Sequence, residues 1–424
     1  MTVYIYSVTE KTFYLTAPGH HRPAPGTQAE SRKGRGTSWA LAHRFSVQER
    51  RPEDDGWGNL DQQVQTETAP VATQLFEERV KSILSSNDSP DIGFDLSINP
   101  YRGCEHGCIY CYARPTHSFL NLSPGIDFET RIVAKVNAAE RLRAALLAPA
   151  FKAQRLNLGS VTDAYQPAER RLRITRGVIE VLRDFSHPFS VVTKSSGIER
   201  DLDLIAPMAA QRLASVVVSL TTLDPALARV MEPRAAAPAR RLHTIRRLAQ
   251  AGVPVGVSIS PMIPFINEPE LEQLLAAAHE AGARSAFAIV IRLPREVNPL
   301  FQHWLESHFP ERAARVMARI REMRGGADNS SVFGERMRGT GVWAQLLRQR
   351  FHMARERLGL ARIQPELDLS RFRRPDQGGR TPVQVHADAA AAVDAMVQSP
   401  SVSHEPGDSG EAVEAGDPVQ GSLF

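Results

Sequence analysis

Asn99-Pro100-Tyr101-Arg102-Gly103-Cys104-Glu105-His106-Gly107-Cys108-Ile109-Tyr110-Cys111-Tyr112 contains every cysteine of the 424-residue chain. Three thiols fall within eight residues in a Cys-x3-Cys-x2-Cys spacing, and Gly103 and Gly107 let the backbone wrap around something small. The pattern reads as a ligand set for a metal or cluster that keeps one position open, since structural sites usually close all four. The competing reading is a structural zinc site completed by His106 or His117, although zinc sites commonly bring cysteines in pairs. A disulfide framework does not fit an odd, crowded set.

The length suits one large α/β domain with extensions, or two domains. No apolar run approaches the roughly 18 residues of a membrane span, and the first residues lack a signal-peptide order. The expected location is the cytoplasm, where thiols stay reduced, with no membrane partner. The net charge of +4 hides an asymmetry, because residues 381–424 hold seven acids and no Lys or Arg, leaving the first 380 residues at +11. A basic body is compatible with nucleic acid, although arginine-rich helices are commonly just solvated faces.

Working outward from the cysteines, short β-rich runs alternate with amphipathic helical runs. The expected strands are 95–99, 156–161, 189–193, 214–220, 253–259 and 285–291. A helix is expected over 128–147, with Asp127 as its N-cap and Ile132, Val136, Ala139, Leu142 and Leu146 on one face, and others near 168–185, 200–210, 235–251 and 268–281. Six serial β/α units imply parallel strands covered by helices, arranged as an open doubly wound sheet or a barrel short of two units. Either places the cysteine loop, after the first strand, at the carboxyl edge where ligands bind. The flanks divide into a disordered N-terminus at 1–30, an irregular extension at 31–94, the β/α domain at 95–300, a basic helical region at 301–380, and a disordered acidic tail at 381–424. Helices are expected at 301–324 and 341–359. The cluster Arg32-Lys33-Gly34-Arg35-Gly36-Thr37 suits either a phosphate contact or a flexible lead-in.

The cysteine spacing after the first strand of a serial β/α domain, with Tyr110 before the third cysteine, resembles the radical S-adenosylmethionine (SAM) superfamily. That resemblance implies a partial (β/α)6 TIM-like barrel and a [4Fe-4S] cluster on Cys104, Cys108 and Cys111. It further implies SAM on the fourth iron, reductive cleavage to a 5′-deoxyadenosyl radical, and a flavodoxin- or ferredoxin-like electron donor. Asn99 to Cys104, Tyr110 to Arg114, Asp127 to Glu129, Thr162 to Pro167, Thr193 to Ser195 and Met231 to Arg234 resemble the spore photoproduct lyase-like branch. The long extensions are more similar to that branch's uncharacterised bacterial members than to the true lyase. The lyase's hydrogen-donating cysteine has no counterpart in Gly159 to Asp163.

Either Tyr112 or Tyr165 relays the hydrogen or the reaction differs from the lyase's, the second being the favoured reading; the resemblance sets Tyr110 and Tyr112 beside the cluster, as radical relays or packed against cluster and adenine. Ser160, Thr162 and Asp163 suit the ammonium of SAM, while Lys194, Ser195 and Arg234 suit its carboxylate. Gln420, Leu423 and Phe424 resemble the ends of a sliding-clamp binding pentapeptide on a disordered tether. The reading is a radical SAM enzyme with nucleic acid as the leading substrate class, for DNA repair or modification. A peptide or small metabolite substrate is the second reading, and a non-catalytic zinc-containing nucleic-acid-binding protein the third.

Overall fold

The computed structural model describes residues 5–7, 34–37, 41, 43–45 and 71–375. The strands are β1 Ile5–Ser7, β2 Gln74–Glu78, β3 Leu84–Ser86, β4 Leu96–Ile98, β5 Tyr101–Arg102, β6 Arg131–Lys135, β7 Leu156–Leu158, β8 Phe189–Thr193, β9 Ala214–Ser219, β10 Val255–Met262 and β11 Ser285–Val290. The helices are α1 Ile126–Thr130, α2 Ala138–Leu147, α3 Glu169–Leu172, α4 Ile174–Asp184, α5 Leu202–Ala210, α6 Pro225–Met231, α7 Pro238–Gln250, α8 Leu271–Glu280, α9 Val297–His308, α10 Pro310–Glu322 and α11 Gly341–Arg357.

The main sheet runs β11-β10-β9-β8-β7-β4-β3, and its first six strands pair in parallel in the order of the chain. Only β3, antiparallel to β4, departs from this pattern. The result is an α/β fold with a mixed, partly open sheet flanked by helices: a partial barrel with extensions. Its strands are short apolar runs because both faces are covered, and β9 is buried at every position. The covering helices show the other period, as in α4, which buries Ile174, Val178, Ile179, Val181 and Leu182.

Three expectations need correction. The helix expected over 128–147 is α1, then β6, then α2. In β6 the β-branched run Ile132-Val133 pairs with β2 and buries alternate positions, so period two prevails over helical spacing. Asp127 accordingly caps no long helix; it lies inside α1 and accepts from the Ser123 amide at 2.9 Å. The stretch expected to be irregular up to residue 94 contains β2 and β3, and β2 joins a second sheet of order β1-β2-β6-β5. The helix expected over 301–324 divides at Pro310, whose ring suits a first helical turn and not an interior.

The chain beyond α11 returns to the amino ends of the strands. Ala361 exchanges backbone hydrogen bonds with β11 and its lead-in, and the Gln364 amide donates to the Val216 carbonyl at 3.0 Å. That leaves the carboxyl edge for the cysteine loop. Among the described residues no helix is long and apolar enough to cross a membrane. The acidic tail and Gln420, Leu423 and Phe424 lie outside the described residues.

Candidate active site

The cysteine loop follows β4 and β5 and is pinned from three directions. The Cys104 amide donates to the Phe128 carbonyl at 2.9 Å and the Ile109 amide to the Met231 carbonyl at 3.0 Å. Arg114, with no exposed surface, donates to the carbonyls of Cys108 (2.9 Å) and Gly107 (3.2 Å) and to those of Pro124 and Gly125. Its charge is matched by the equally buried Glu129 at 2.6 Å. Gly103 and Gly107 have φ of +79° and +68°. A Cβ on Gly103 would lie 2.9 Å from the Phe128 carbonyl oxygen, and one on Gly107 would lie 2.7 Å from Glu129 Oε2, so the path requires glycine on both counts.

The basic N-terminal cluster belongs to this scaffold. Gly36 and Thr37 amides donate to the Glu129 carboxylate at 2.8 and 3.1 Å, and Arg35 donates to the Glu129 carbonyl at 2.8 Å. Arg35 and Thr37 are buried, so residues 34–37 are neither a free phosphate contact nor a loose lead-in, while Arg32 and Lys33 lie outside the described residues. Glu105 is a second node, accepting from the Thr73 hydroxyl at 2.8 Å and the Ala168 amide at 2.7 Å.

Cys104 and Cys108 are buried and Cys111 half-buried, all with free thiols. Burial pushes the Cys104 thiol well up, with the Asp163 carboxylate adding to it, and takes Cys108 to about 12 despite the nearby Lys194 ammonium. Such thiols become thiolates when a positive centre takes the place of the proton. Among the described residues no three His, Cys, Asp or Glu side chains are placed to hold one metal ion. His106 Nδ1 lies 3.3 Å from Asp163 Oδ2, and His117 Nε2 bonds the Arg131 carbonyl at 3.0 Å, so each of the two histidines weighed for zinc is engaged with protein.

The remaining sequence candidates separate into distinct places. Asp163 accepts from the Tyr165 amide, the Thr193 hydroxyl and the Lys194 amide, each at 2.8 Å. Burial favours its neutral form, but His106 and those amides outweigh it and hold the carboxyl at about 2. Thr162 donates to the Gly103 carbonyl at 2.7 Å, and Ser160 exchanges hydrogen bonds with Asn99. Ser195 caps the turn at Ser196–Asp201 by accepting from Gly197 at 3.0 Å. The Lys194 ammonium lies 5.9 Å from the Tyr110 ring centroid. Arg234 turns to Glu105 at 3.2 Å and to the Thr73 hydroxyl.

The three tyrosines differ sharply. Tyr110 is buried and bonds Glu232, which pairs with the buried Arg241; burial raises the Glu232 carboxyl even against that arginine. Tyr165 is 2% exposed, packed in the core beside Arg200. Tyr112 is 52% exposed and bonds the Ser160 carbonyl, so it alone of the three offers a face to solvent. The roles of Arg114, Glu129, Glu105, Glu232 and Arg241 are not legible from sequence; Arg114, Glu129 and Glu232 lie inside the motifs that carry the resemblance, and a charged residue within such a motif is the available signal.

A family model described as the radical SAM superfamily matches residues 98–278. An uncharacterized protein of Mycobacterium tuberculosis is 38% identical over 232 residues, covering 54% of this chain and 67% of the relative. Another from Methanocaldococcus jannaschii is 26% identical over 235 residues, covering 55% and 83%. Among solved structures, spore photoproduct lyase complexed with dinucleoside spore photoproduct aligns at a TM-score of 0.48 and 15% identity, over 68% of this chain and 81% of that one.

Proposed function

The chain belongs to the radical SAM superfamily, and from that premise we propose that Cys104, Cys108 and Cys111 hold a [4Fe-4S] cluster used to act on nucleic acid. The observation that carries this reading is the loop itself: every thiol of the chain lies on one glycine-shaped turn at the carboxyl edge of the first parallel strand. Cys104, Cys108 and Cys111 would hold such a cluster, and because no three donors among the described residues converge on one ion, the set suits a group of several irons better than a single ion. The bound group supplies reductive cleavage of SAM to methionine and a 5′-deoxyadenosyl radical that abstracts hydrogen from the substrate.

The protein's own part is positional and electrostatic. Arg114, held by Glu129, donates to the carbonyls of Gly107 and Cys108 and so sets the path of the loop. Asp163, ionised and tied to His106, is the acceptor for the SAM ammonium, and Thr162 and Ser160 line the same turn. Lys194 and Ser195 are the donors for its carboxylate, while Arg234, engaged with Glu105, supports the loop from behind. Tyr110 packs under the cluster, and the exposed Tyr112 is the hydrogen relay, a role the buried Tyr165 is less suited to. With all thiols assigned to the cluster, no cysteine of this chain is left to return a hydrogen atom. A small flavodoxin- or ferredoxin-like protein is the electron donor.

Nucleic acid is favoured as substrate by the +11 charge of the first 380 residues and by the motif resemblance. The test follows deuterium into 5′-deoxyadenosine from deuterated DNA, deuterated peptide or deuterated cell extract. Transfer from DNA is expected; transfer from peptide or small molecules alone would reverse the substrate assignment.

A further inference from the structure

Arg292 follows β11 at the carboxyl edge of the last strand, and its guanidinium is starved of acceptors. Among the described residues its one hydrogen-bond acceptor is the Met337 thioether, at 3.7 Å, and its Nε is buried with no partner. Among the described residues it forms no ion pair within 4 Å, and its Cζ stands 6.0 Å from the centroid of the Tyr112 ring, one residue from Cys111. A second cation stands close by. Arg336 pairs with Asp91 at 2.7 Å and lies 4.5 Å from the ring centroid of Phe333, which is 56% exposed. The buried Arg324 is a third, committed to the carbonyls of Ile291 (2.6 Å) and Glu335 (3.1 Å). Burial and the neighbouring Arg336 both lower the Arg292 pKa, and Arg324 is lowered to about 10 by burial and by Arg292. Asp91 pairs directly with Arg336 and acts on Arg292 only at longer range, while Arg324 has no ion pair among the described residues.

The chain segment that carries Arg336 links the two edges of the open sheet. The Gly334 amide and Arg336 reach Asp91 in the connection between β3 and β4, while the Met337 carbonyl accepts from Val290 in β11. The surplus charge therefore stands across the open side of the partial barrel, beside the one exposed tyrosine of the cysteine loop.

We propose that Arg292 and Arg336 form a phosphodiester-binding subsite at the open edge of the barrel, which holds the backbone of a nucleic acid so that a base lies against Tyr112. This deepens the nucleic-acid reading and rests on it. A phosphate supplies the acceptors that Arg292 lacks, in the forked geometry a guanidinium favours. Exposed aromatic faces at Tyr112 and Phe333, interleaved with arginine, form the kind of stacking platform used for unpaired bases.

The experiment uses the full-length protein, anaerobically reconstituted, with a fluorescent single-stranded oligonucleotide and an abasic phosphodiester of equal length, read by anisotropy at several salt concentrations. Arg292→Ala should weaken both ligands by about tenfold or more and reduce the slope of log Kd against log salt by about one. Arg292→Lys keeps the charge without the fork and should fall between. Because Arg292 pairs directly with no carboxylate among the described residues and feels Asp91 only at longer range, both variants should melt close to the wild type. Equal binding by Arg292→Ala and wild type, or no wild-type binding of the abasic ligand, overturns the subsite. Arginine-dependent binding without deuterium transfer from DNA would instead leave the subsite standing and defeat the substrate reading.

Discussion

Arg114 and Glu129 form an ion pair of 2.6 Å in which neither side chain has any exposed surface, and every other bond either makes around it goes to the cysteine loop or its supports. Breaking a buried pair from one side leaves an uncompensated charge, at about 3–5 kcal/mol. Arg114→Met should therefore lower stability in urea by about that much, and Arg114→Met with Glu129→Gln should lower it by less than the sum of the two single changes. Additive effects would mean that the pair is not coupled.

Gly36 meets the loop from the other side. A Cβ there would fall 1.8 Å from the Gly107 carbonyl oxygen, whereas one on Gly93 meets nothing within 4 Å. Gly36→Ala should reduce the iron retained per chain after reconstitution while Gly93→Ala retains it, measured by iron and sulfide content. Full iron content in Gly36→Ala would show that the N-terminal segment does not shape the loop.

Tyr110 and Tyr112 should separate by kind of effect. Tyr110→Phe removes a hydrogen bond to the buried Glu232 and should cost about 1–3 kcal/mol in unfolding. Tyr112→Phe gives up a hydrogen bond to the Ser160 carbonyl at an exposed position, so it should lower the unfolding midpoint less than Tyr110→Phe does and alter the distribution of substrate-derived products. A product pattern like the wild type's would remove Tyr112 from the relay.

His187 is fully buried between Phe151 and Phe372, and burial lowers its pKa to about 4 from the ordinary 6.5. The unfolded chain takes up this proton near pH 6.5 and the folded one only near 4, so stability is complete above 6.5 and declines as pH falls through that window. The loss approaches about 3 kcal/mol at the lower end. The buried His117, also lowered to about 4 by burial, adds to this decline, so unfolding midpoints in urea measured from pH 7 to 4 should fall and His187→Phe should make the fall shallower without removing it; an unchanged slope would mean that His187 does not contribute.

The strand run Phe189–Thr193 and the parallel order of β4, β7, β8, β9, β10 and β11 were readable in the residues, because a continuous β-branched run between amphipathic helices has few alternatives. Residues 131–135 were not, since Ile132 fits a helical face by spacing and only its distant partner, β2, makes it a strand. Cys104, Cys108 and Cys111 stand out by composition alone. The roles of Arg35, Arg114 and Glu129 do not, because nothing local distinguishes a buried charge from a solvated one until the long-range partner is known.

The most direct test of the central claim is anaerobic purification followed by dithionite and SAM. Brown protein with about four irons per chain, a reduced electron-paramagnetic signal that SAM perturbs, and release of 5′-deoxyadenosine are predicted, all lost in Cys108→Ala. Colourless protein that binds one zinc and releases no 5′-deoxyadenosine would contradict it.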